Sequence, residues 1–290
     1  MKIECAESAG FCFGVKRAVD TVYQLLDQKK ENVYTLGPII HNEQVVEDLS
    51  SRGVTVADTP LDIPEEHIPG ATMVIRSHGV SKSVVEELDR MGINYEDATC
   101  PFVKKIHHTV SEYSQKGYHI IIIGSSAHPE VQGILGWAGG AGTVIESREE
   151  AEAFVLPEEG KKICIVAQTT FNYKKFKELV EIFSEKGYDI LAVNTICNAT
   201  STRQKEAEIL ANRSDAMIVI GGKHSSNSRK LFEICKNQCE NTFFIQTVDD
   251  LKDLSFESFT SLGITAGAST PNTIIQEVLK ACQKQVSQNY

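Results

Sequence analysis

Short apolar runs alternate with amphipathic stretches along the whole chain. VYTL (33–36), ATMVI (71–75), HIIII (119–123), KICIVA (162–167), AMIVI (216–220) and SLGITA (261–266) are rich in β-branched residues and carry almost no charge. Runs of this length and composition predict strands buried on both faces. Each leads into a polar turn and then into a segment with apolar residues at helical spacing. Strand, turn and helix in regular alternation predict an α/β fold with mostly parallel sheets covered by helices.

The order recurs three times, and each time it starts with a cysteine. The contexts are GFCFGVKRAVD around Cys12, ATCPFVKKIHHTV around Cys100 and NTICNATSTRQKEA around Cys197. After Cys12 come VYTLGPIIHNEQVVEDL (33–49) and ATMVIRSHGVSKSVVEEL (71–88). After Cys100 come IIIIGSSAHPEVQGIL (120–135) and KICIVAQTTFNYKKFKELV (162–180). After Cys197 come AMIVIGGKHSSNSRKLFEI (216–234) and SLGITAGASTPNTIIQEVL (261–279). The steps from cysteine to His41, His128 and Asn227 are nearly equal, as are those to His78, Thr169 and Ser269. This periodicity predicts three similar α/β domains, 1–97, 98–194 and 195–290. Turns at strand C-termini are where open α/β sheets bind ligands. Three such domains around a pseudo-threefold axis would face their polar turns into a central cavity. The Pro- and acid-rich stretch VADTPLDIPEEHIPGA (56–71) is expected to be a surface loop, and the polar tail QKQVSQNY (283–290) to fray.

Composition narrows the class. With 41% hydrophobic and 23% charged residues the chain is expected to fold into a packed globule. No apolar run is long enough to span a membrane and no secretory leader is visible, so a cytoplasmic protein without membrane contact is expected. A net charge of −10 argues against nucleic acid as a partner. In a reducing compartment the eight cysteines read as core residues, metal ligands or reactive groups rather than disulfides. Cys5 and Cys164 lie in strand-like runs, Cys235, Cys239 and Cys282 on helix-like ones, and all five read as packing residues.

The three cysteines in repeat phase carry the candidate chemistry. Each precedes a helix, and Pro101 is a favoured first helical residue. A helix N-terminus favours thiolate. Three soft ligands leave one position of a metal site open; zinc and an iron–sulfur cluster both fit, and spacing does not choose between them. The other turns supply His41, His78, His128, Thr169, Thr170, Ser225, Ser226, Asn227 and Ser269, a donor set suited to phosphate oxygens at helix N-termini. Ser, Thr and Asn are also ordinary helix caps, whereas His is a poor one, so the three histidines point to a ligand. Glu130, two residues after His128, is the candidate proton donor, since a carboxylate facing an anion is repelled unless it handles protons. Gly139, Gly140 and Gly142 precede an apolar run instead of joining a strand to a helix, which fails the dinucleotide fingerprint. Any electrons must then come from a partner protein.

Taken together, GFCFGV, H-N-E at 41–43, R-S-H-G at 76–79, A-T-C-P at 98–101, H-P-E at 128–130, Q-T-T at 168–170, N-T-I-C-N-A-T at 194–200, S-S-N-S at 225–228 and A-S-T-P at 268–271 closely resemble the LytB family of 4-hydroxy-3-methylbut-2-enyl diphosphate reductases. The resemblance runs over essentially the whole chain. It implies that Cys12, Cys100 and Cys197 hold a 4Fe–4S cluster with one iron lacking a protein ligand, left for the substrate's allylic hydroxyl. It implies that His41, His78, His128, Ser225, Ser226, Asn227 and Ser269 bind the diphosphate. Thr169, Thr170 and Glu130 would lie near the hydroxyl, with Glu130, Thr169 and His128 as the catalytic group. The reaction implied is reductive removal of the hydroxyl, giving isopentenyl and dimethylallyl diphosphate. Electrons would come from an external donor such as flavodoxin or ferredoxin. A monomer whose domains close on the substrate is expected. Rival readings are an open-cluster hydro-lyase or quinolinate-synthase-like enzyme, a non-catalytic iron–sulfur sensor, and a zinc-stabilised structural protein.

Overall fold

The computed structural model describes residues 1–158 and 160–287. The elements run β1 (Lys2–Cys5), α1 (Phe13–Asp27), β2 (Val33–Leu36), α2 (Glu43–Ser51), β3 (Thr55–Ala57), β4 (Thr72–Ile75), α3 (Lys82–Met91), β5 (Asn94–Asp97), α4 (Pro101–Gln115), β6 (His119–Ile123), α5 (Pro129–Gly136), β7 (Gly142–Ile145), α6 (Arg148–Ala153), β8 (Ile163–Ala167), α7 (Tyr173–Glu185), β9 (Ile190–Ala192), α8 (Asn198–Asn212), β10 (Ala216–Ile220), α9 (Ser226–Gln238), β11 (Thr242–Ile245), β12 (Ser261–Ala266) and α10 (Asn272–Ser287). The six apolar runs are β2, β4, β6, β8, β10 and β12, the inner pair of each sheet; the edge strands were not among them. β6, β8 and β10 are buried along their whole length, as strands with helices on both faces must be.

The strands form three four-stranded parallel sheets, ordered β5-β4-β2-β3, β9-β8-β6-β7 and β1-β12-β10-β11. The three orders are one pattern. A short edge strand that leads to a cysteine pairs with the strand before the His78, Thr169 or Ser269 turn, which in turn pairs with the strand before the His41, His128 or Asn227 turn. The departure from the expected domain spans is at the N-terminus: β1 lies within 1–97 but pairs with β12, Ile3 opposite Leu262 and Cys5 opposite Ile264. The repeat itself supplies the reason. β5 and β9 end the sheets of the preceding segments, so the equivalent strand before Cys12 completes the last sheet.

By its internal contacts the chain falls into two compact units. One comprises Met1–Lys16, His41–Glu47 and the residues from Asn198 onward; the other comprises Arg17–Ile40 and Asp48–Cys197. The first carries β1-β12-β10-β11, and the second carries the other two sheets. The stretch expected as a surface loop is more ordered than that: it forms 3₁₀ turns at Pro60–Asp62 and Glu65–Gly70, and Pro60 and Ile63 are buried. α10 runs through Ser287, so most of the tail expected to fray is helical; residues 288–290 lie outside the described residues. Among the described residues no helix is long and apolar enough to cross a membrane.

The core beside β6 joins Ile120, Ile122, Val131, Ile134, Cys164 and Val166 to Ile106 and Val110 of α4. Because Ile122 is fully buried there, Ile122→Ala should destabilise the fold by about 2–5 kcal/mol. Denaturant unfolding followed by circular dichroism checks this; a loss well under 1 kcal/mol would contradict the packing.

Candidate functional site

Each of the three repeat-phase cysteines is tied by its backbone N–H to a polar turn. Cys12 donates to the carbonyl of Ala268 at 3.2 Å, Cys100 to that of Ser77 at 3.0 Å and Cys197 to that of Thr169 at 3.0 Å. Ala268 and Ser77 are the neighbours of Ser269 and His78, so each thiol-bearing residue is fixed in register with a predicted substrate-binding side chain. Each cysteine also opens a helix: the carbonyls of Cys12 and Cys100 accept the N–H of Lys16 and Lys104, both at 2.9 Å, and Asn198 begins α8.

The unit that contains Cys12 also contains His41, Ser225, Ser226, Asn227 and Ser269. Ser269 Oγ donates to the carbonyl of His41 at 3.0 Å and lies 3.5 Å from Ser225 Oγ. Ser225 caps α9, accepting from the N–H of Ser228 at 3.3 Å. Gly222 lets the His41 turn approach, because a Cβ there would sit 2.7 Å from the His41 carbonyl oxygen. Asn227 is only 5% exposed, yet among the described residues neither its Nδ2 nor its Oδ1 has a hydrogen-bond partner. Leaving both ends of a buried amide unmatched costs free energy that a bound polar ligand would recover.

The other unit contains His78, Cys100, His128, Glu130, Thr169, Thr170 and Cys197. His78 and His128 meet edge to face, with ring centroids 5.3 Å apart. His128 is the N-cap of α5, its Nδ1 accepting from the N–H of Glu130 at 3.1 Å. The expectation that His is a poor cap is therefore corrected at this position: Pro129 presets the first helical residue, and the imidazole takes the place of the usual hydroxyl or carboxamide. That bond orients His128 and Glu130 together. Glu130 is sealed from solvent, and its oxygens accept from the Thr169 N–H at 2.6 Å and the Thr169 Oγ1 hydroxyl at 2.7 Å. Burial pushes its carboxyl up to about 7 even though both Thr169 bonds favour the ionised form. Thr169 thus contacts the acid through its N–H and side chain, and Cys197 through its carbonyl.

The donor set fits a sulfur-ligated group. None of the eight cysteines forms a disulfide. Burial raises Cys164 and Cys282 to about 11 and Cys235 to about 12, and it also raises Cys5, so these remain protonated packing groups. Cys239 is buried beside Cys235 in the same apolar cluster. Cys12, Cys100 and Cys197 are all only partly buried and stand at helix starts.

Two residues were missed in the sequence reading. Gln168, quoted only as part of Q-T-T, is buried, accepts the Ser125 N–H through Oε1 and has an unpartnered Nε2. His107, inside a helical run, is stacked on Trp137 with centroids 5.4 Å apart, and burial drives it down to about 4, so it is neutral. It sits under Gly79, whose φ of +72° and close approach to the His107 ring exclude any side chain next to His78. No motif signalled His107; its place is decided by packing. A cavity of about 420 Å3 in the same unit, with Arg76, Ser81, Pro129 and Gln132 in its wall, includes none of the predicted site residues.

The sequence profile of the LytB protein family matches residues 3–283. A protein of Caldanaerobacter subterraneus subsp. tengcongensis, named 4-hydroxy-3-methylbut-2-enyl diphosphate reductase, is 45% identical over 281 residues, covering 97% of this chain and 96% of its own. One of the same name from Clostridioides difficile is 44% identical over 279 residues, 96% of this chain and 98% of its own. Among solved structures, the E-1-hydroxy-2-methyl-but-2-enyl-4-diphosphate reductase of Plasmodium falciparum matches with a TM-score of 0.90 at 28% identity, over 96% of this chain and 87% of that one. An (E)-4-hydroxy-3-methyl-but-2-enyl diphosphate reductase, described as the terminal enzyme of the non-mevalonate pathway, matches with a TM-score of 0.70 at 42% identity, over 98% of this chain and 100% of that one.

Glu130 generates a pH prediction. Its carboxyl titrates near 4.5 in the unfolded chain and near 7 in the fold. Between those values the folded state binds more protons, so this group's contribution to stability falls as pH rises and is fully lost above about 7, by roughly 3 kcal/mol. Carboxyl infrared or 13C-glutamate NMR spectra should show one protonated glutamate with a midpoint near 7 that disappears in Glu130→Gln. A midpoint near 4.5 would contradict the sealed environment.

Proposed function

This chain belongs to the LytB protein family, and we propose that it acts as a 4-hydroxy-3-methylbut-2-enyl diphosphate reductase, with roles for individual residues as follows. Cys12, Cys100 and Cys197 would hold an iron–sulfur cluster, 4Fe–4S in the active state, and three thiolates would leave one iron without a protein ligand. When bound, that cluster would relay two electrons from an external donor and offer a Lewis-acidic position for the allylic hydroxyl. The overall step breaks one C–O bond, forms one C–H bond and releases water, consuming two electrons and two protons. Protonation at either end of the allylic system gives isopentenyl or dimethylallyl diphosphate.

The protein's own contribution is binding and proton supply. His41, His78, His128, Ser225, Ser226, Asn227 and Ser269 hold the diphosphate; the unmatched buried amide of Asn227 supports this reading. Hydroxide is a poor leaving group, so the hydroxyl needs a proton as its bond to carbon breaks. The observation that carries the proposal is Glu130: an acid near pH 7, sealed from water and bonded to Thr169. In its protonated form Oε2 donates to Thr169 Oγ1, freeing the threonine hydroxyl to donate toward the substrate. Thr169 and Thr170 line this path, and His128 keeps Glu130 aligned through the bond to its N–H.

The electrons come from a separate donor of the flavodoxin or ferredoxin type, and the protein works in the cytoplasm. Protein purified anaerobically and reconstituted with iron and sulfide should convert 4-hydroxy-3-methylbut-2-enyl diphosphate to both products only when a reductant is supplied. A colourless zinc-loaded protein, or turnover without reductant, overturns this reading. Glu130→Gln should keep the cluster and substrate affinity but lose at least ~100-fold in turnover; near-normal rates would remove Glu130 from the proton path. Cys197→Ser should lose cluster and activity together, as read by iron content and Mössbauer spectra. Asn227→Ala should raise KM about tenfold or more with a smaller change in kcat.

A further inference from the structure

Two arginines stand outside these roles. Arg17 lies on α1, the helix that begins directly after Cys12. Its Nη1 donates to the carbonyl of Thr99 at 3.0 Å and its Nη2 to that of Asp97 at 3.1 Å. Asp97 ends β5 and Thr99 lies in the short connection from that strand to Cys100. Arg203 lies on α8, the helix that begins directly after Cys197. Its Nη2 donates to the carbonyl of Gly10 at 2.7 Å and its Nη1 to that of Ala199 at 3.2 Å. Gly10 belongs to the loop that ends at Cys12. Almost one turn further along α8, Glu206 accepts from the N–H groups of Glu7 at 2.6 Å and Ser8 at 3.0 Å in the same loop.

Arg203 is only 5% exposed. A guanidinium is not buried without partners for its donors and a nearby opposite charge. Here the partners are main-chain carbonyls and the charge is Glu206. Both Arg17 bonds go to backbone just ahead of Cys100, whereas Arg203 divides its fork between Gly10, just ahead of Cys12, and Ala199 in the first turn of its own helix.

We propose that Arg17 and Arg203 are positioning residues for two thiolates: Arg17 fixes the loop that presents Cys100, and Arg203, together with Glu206, fixes the loop that presents Cys12. The proposal rests on the assignment of those cysteines as cluster ligands. The planar fork of arginine bonds two carbonyls at once, which an ammonium cannot do in the same geometry. Groups that orient metal ligands govern how well the metal is held. The Cys197 loop is held by shorter means: Thr195 Oγ1 bonds both the carbonyl and the N–H of Ala167, at 2.5 and 2.8 Å, and Asn194 Oδ1 accepts the N–H of Ile196 at 3.1 Å.

Hydrogen–deuterium exchange on the full chain before cluster loading reads this directly. Arg17→Gln should speed exchange at residues 98–100 about tenfold and leave 7–12 unchanged; Arg203→Gln should do the reverse. After anaerobic reconstitution both variants should release iron to a chelator faster than the parent protein. Arg17→Lys and Arg203→Lys should fall between, since lysine restores the charge but only part of the fork. Exchange along β6 monitors global unfolding. Where a glutamine variant loses protection there, the lysine variant carries the test with the same local pattern. Unchanged exchange at both loops overturns the proposal, and so does equal loosening of both loops by either substitution. If the parent protein takes up no iron–sulfur cluster, the ligand assignment itself has failed. A loaded parent with variants that match it in exchange and iron release isolates the failure to the arginines.

Discussion

One hydrogen bond, made three times, organises the functional residues. The N–H groups of Cys12, Cys100 and Cys197 are each held by the carbonyl of a turn at the end of a parallel strand: Ala268 after β12, Ser77 after β4 and Thr169 after β8. Parallel strands end on the same side of their sheet, and a turn there has carbonyls that the ladder no longer uses. A cysteine N–H at the end of the neighbouring edge strand's connection meets that need. The bond ties the cysteine backbone to the turn, and the following helix begins at the same point. Sheet order, helix start and candidate chemistry are therefore one arrangement rather than three.

The second determinant is electrostatic. Glu130 could have been solvated at the first turn of α5, where the helix dipole would favour its ionised form. Instead it is sealed, and desolvation outweighs the two hydrogen bonds from Thr169. The result is a carboxyl poised near neutrality. The His128 ring accepts the Glu130 backbone N–H, which anchors the start of α5, while Thr169 orients the carboxyl itself.

Much of this was legible in the chain. Apolar runs with little charge had to be strands covered on both faces, and the recurring strand–turn–helix order could hardly be anything but parallel sheets. The three phased cysteines separated themselves from Cys164, Cys235 and Cys282, whose apolar surroundings marked them as packing residues and whose thiols burial keeps protonated. Other features were not legible because they depend on partners distant in the chain. Lys2–Cys5 gives no local sign that its sheet neighbour is Ser261–Ala266. His107 reads as one more residue on an amphipathic helix, and only packing shows it beneath Gly79 and against Trp137. His128 as a helix cap ran against residue preference, and the local geometry with Pro129 overrode it.

Periodicity, residue type and spacing are properties of the chain itself. By themselves they determined the inner strands of each sheet, the threefold repeat, the three candidate thiolates and the polar turns. Tertiary structure decided which carbonyl holds each cysteine, which sheet the first strand completes, which carboxyl loses its water and which arginine braces which loop. The reason is physical: propensity and pattern act over a few residues, whereas desolvation and hydrogen-bond pairing depend on groups that meet only after the chain has folded.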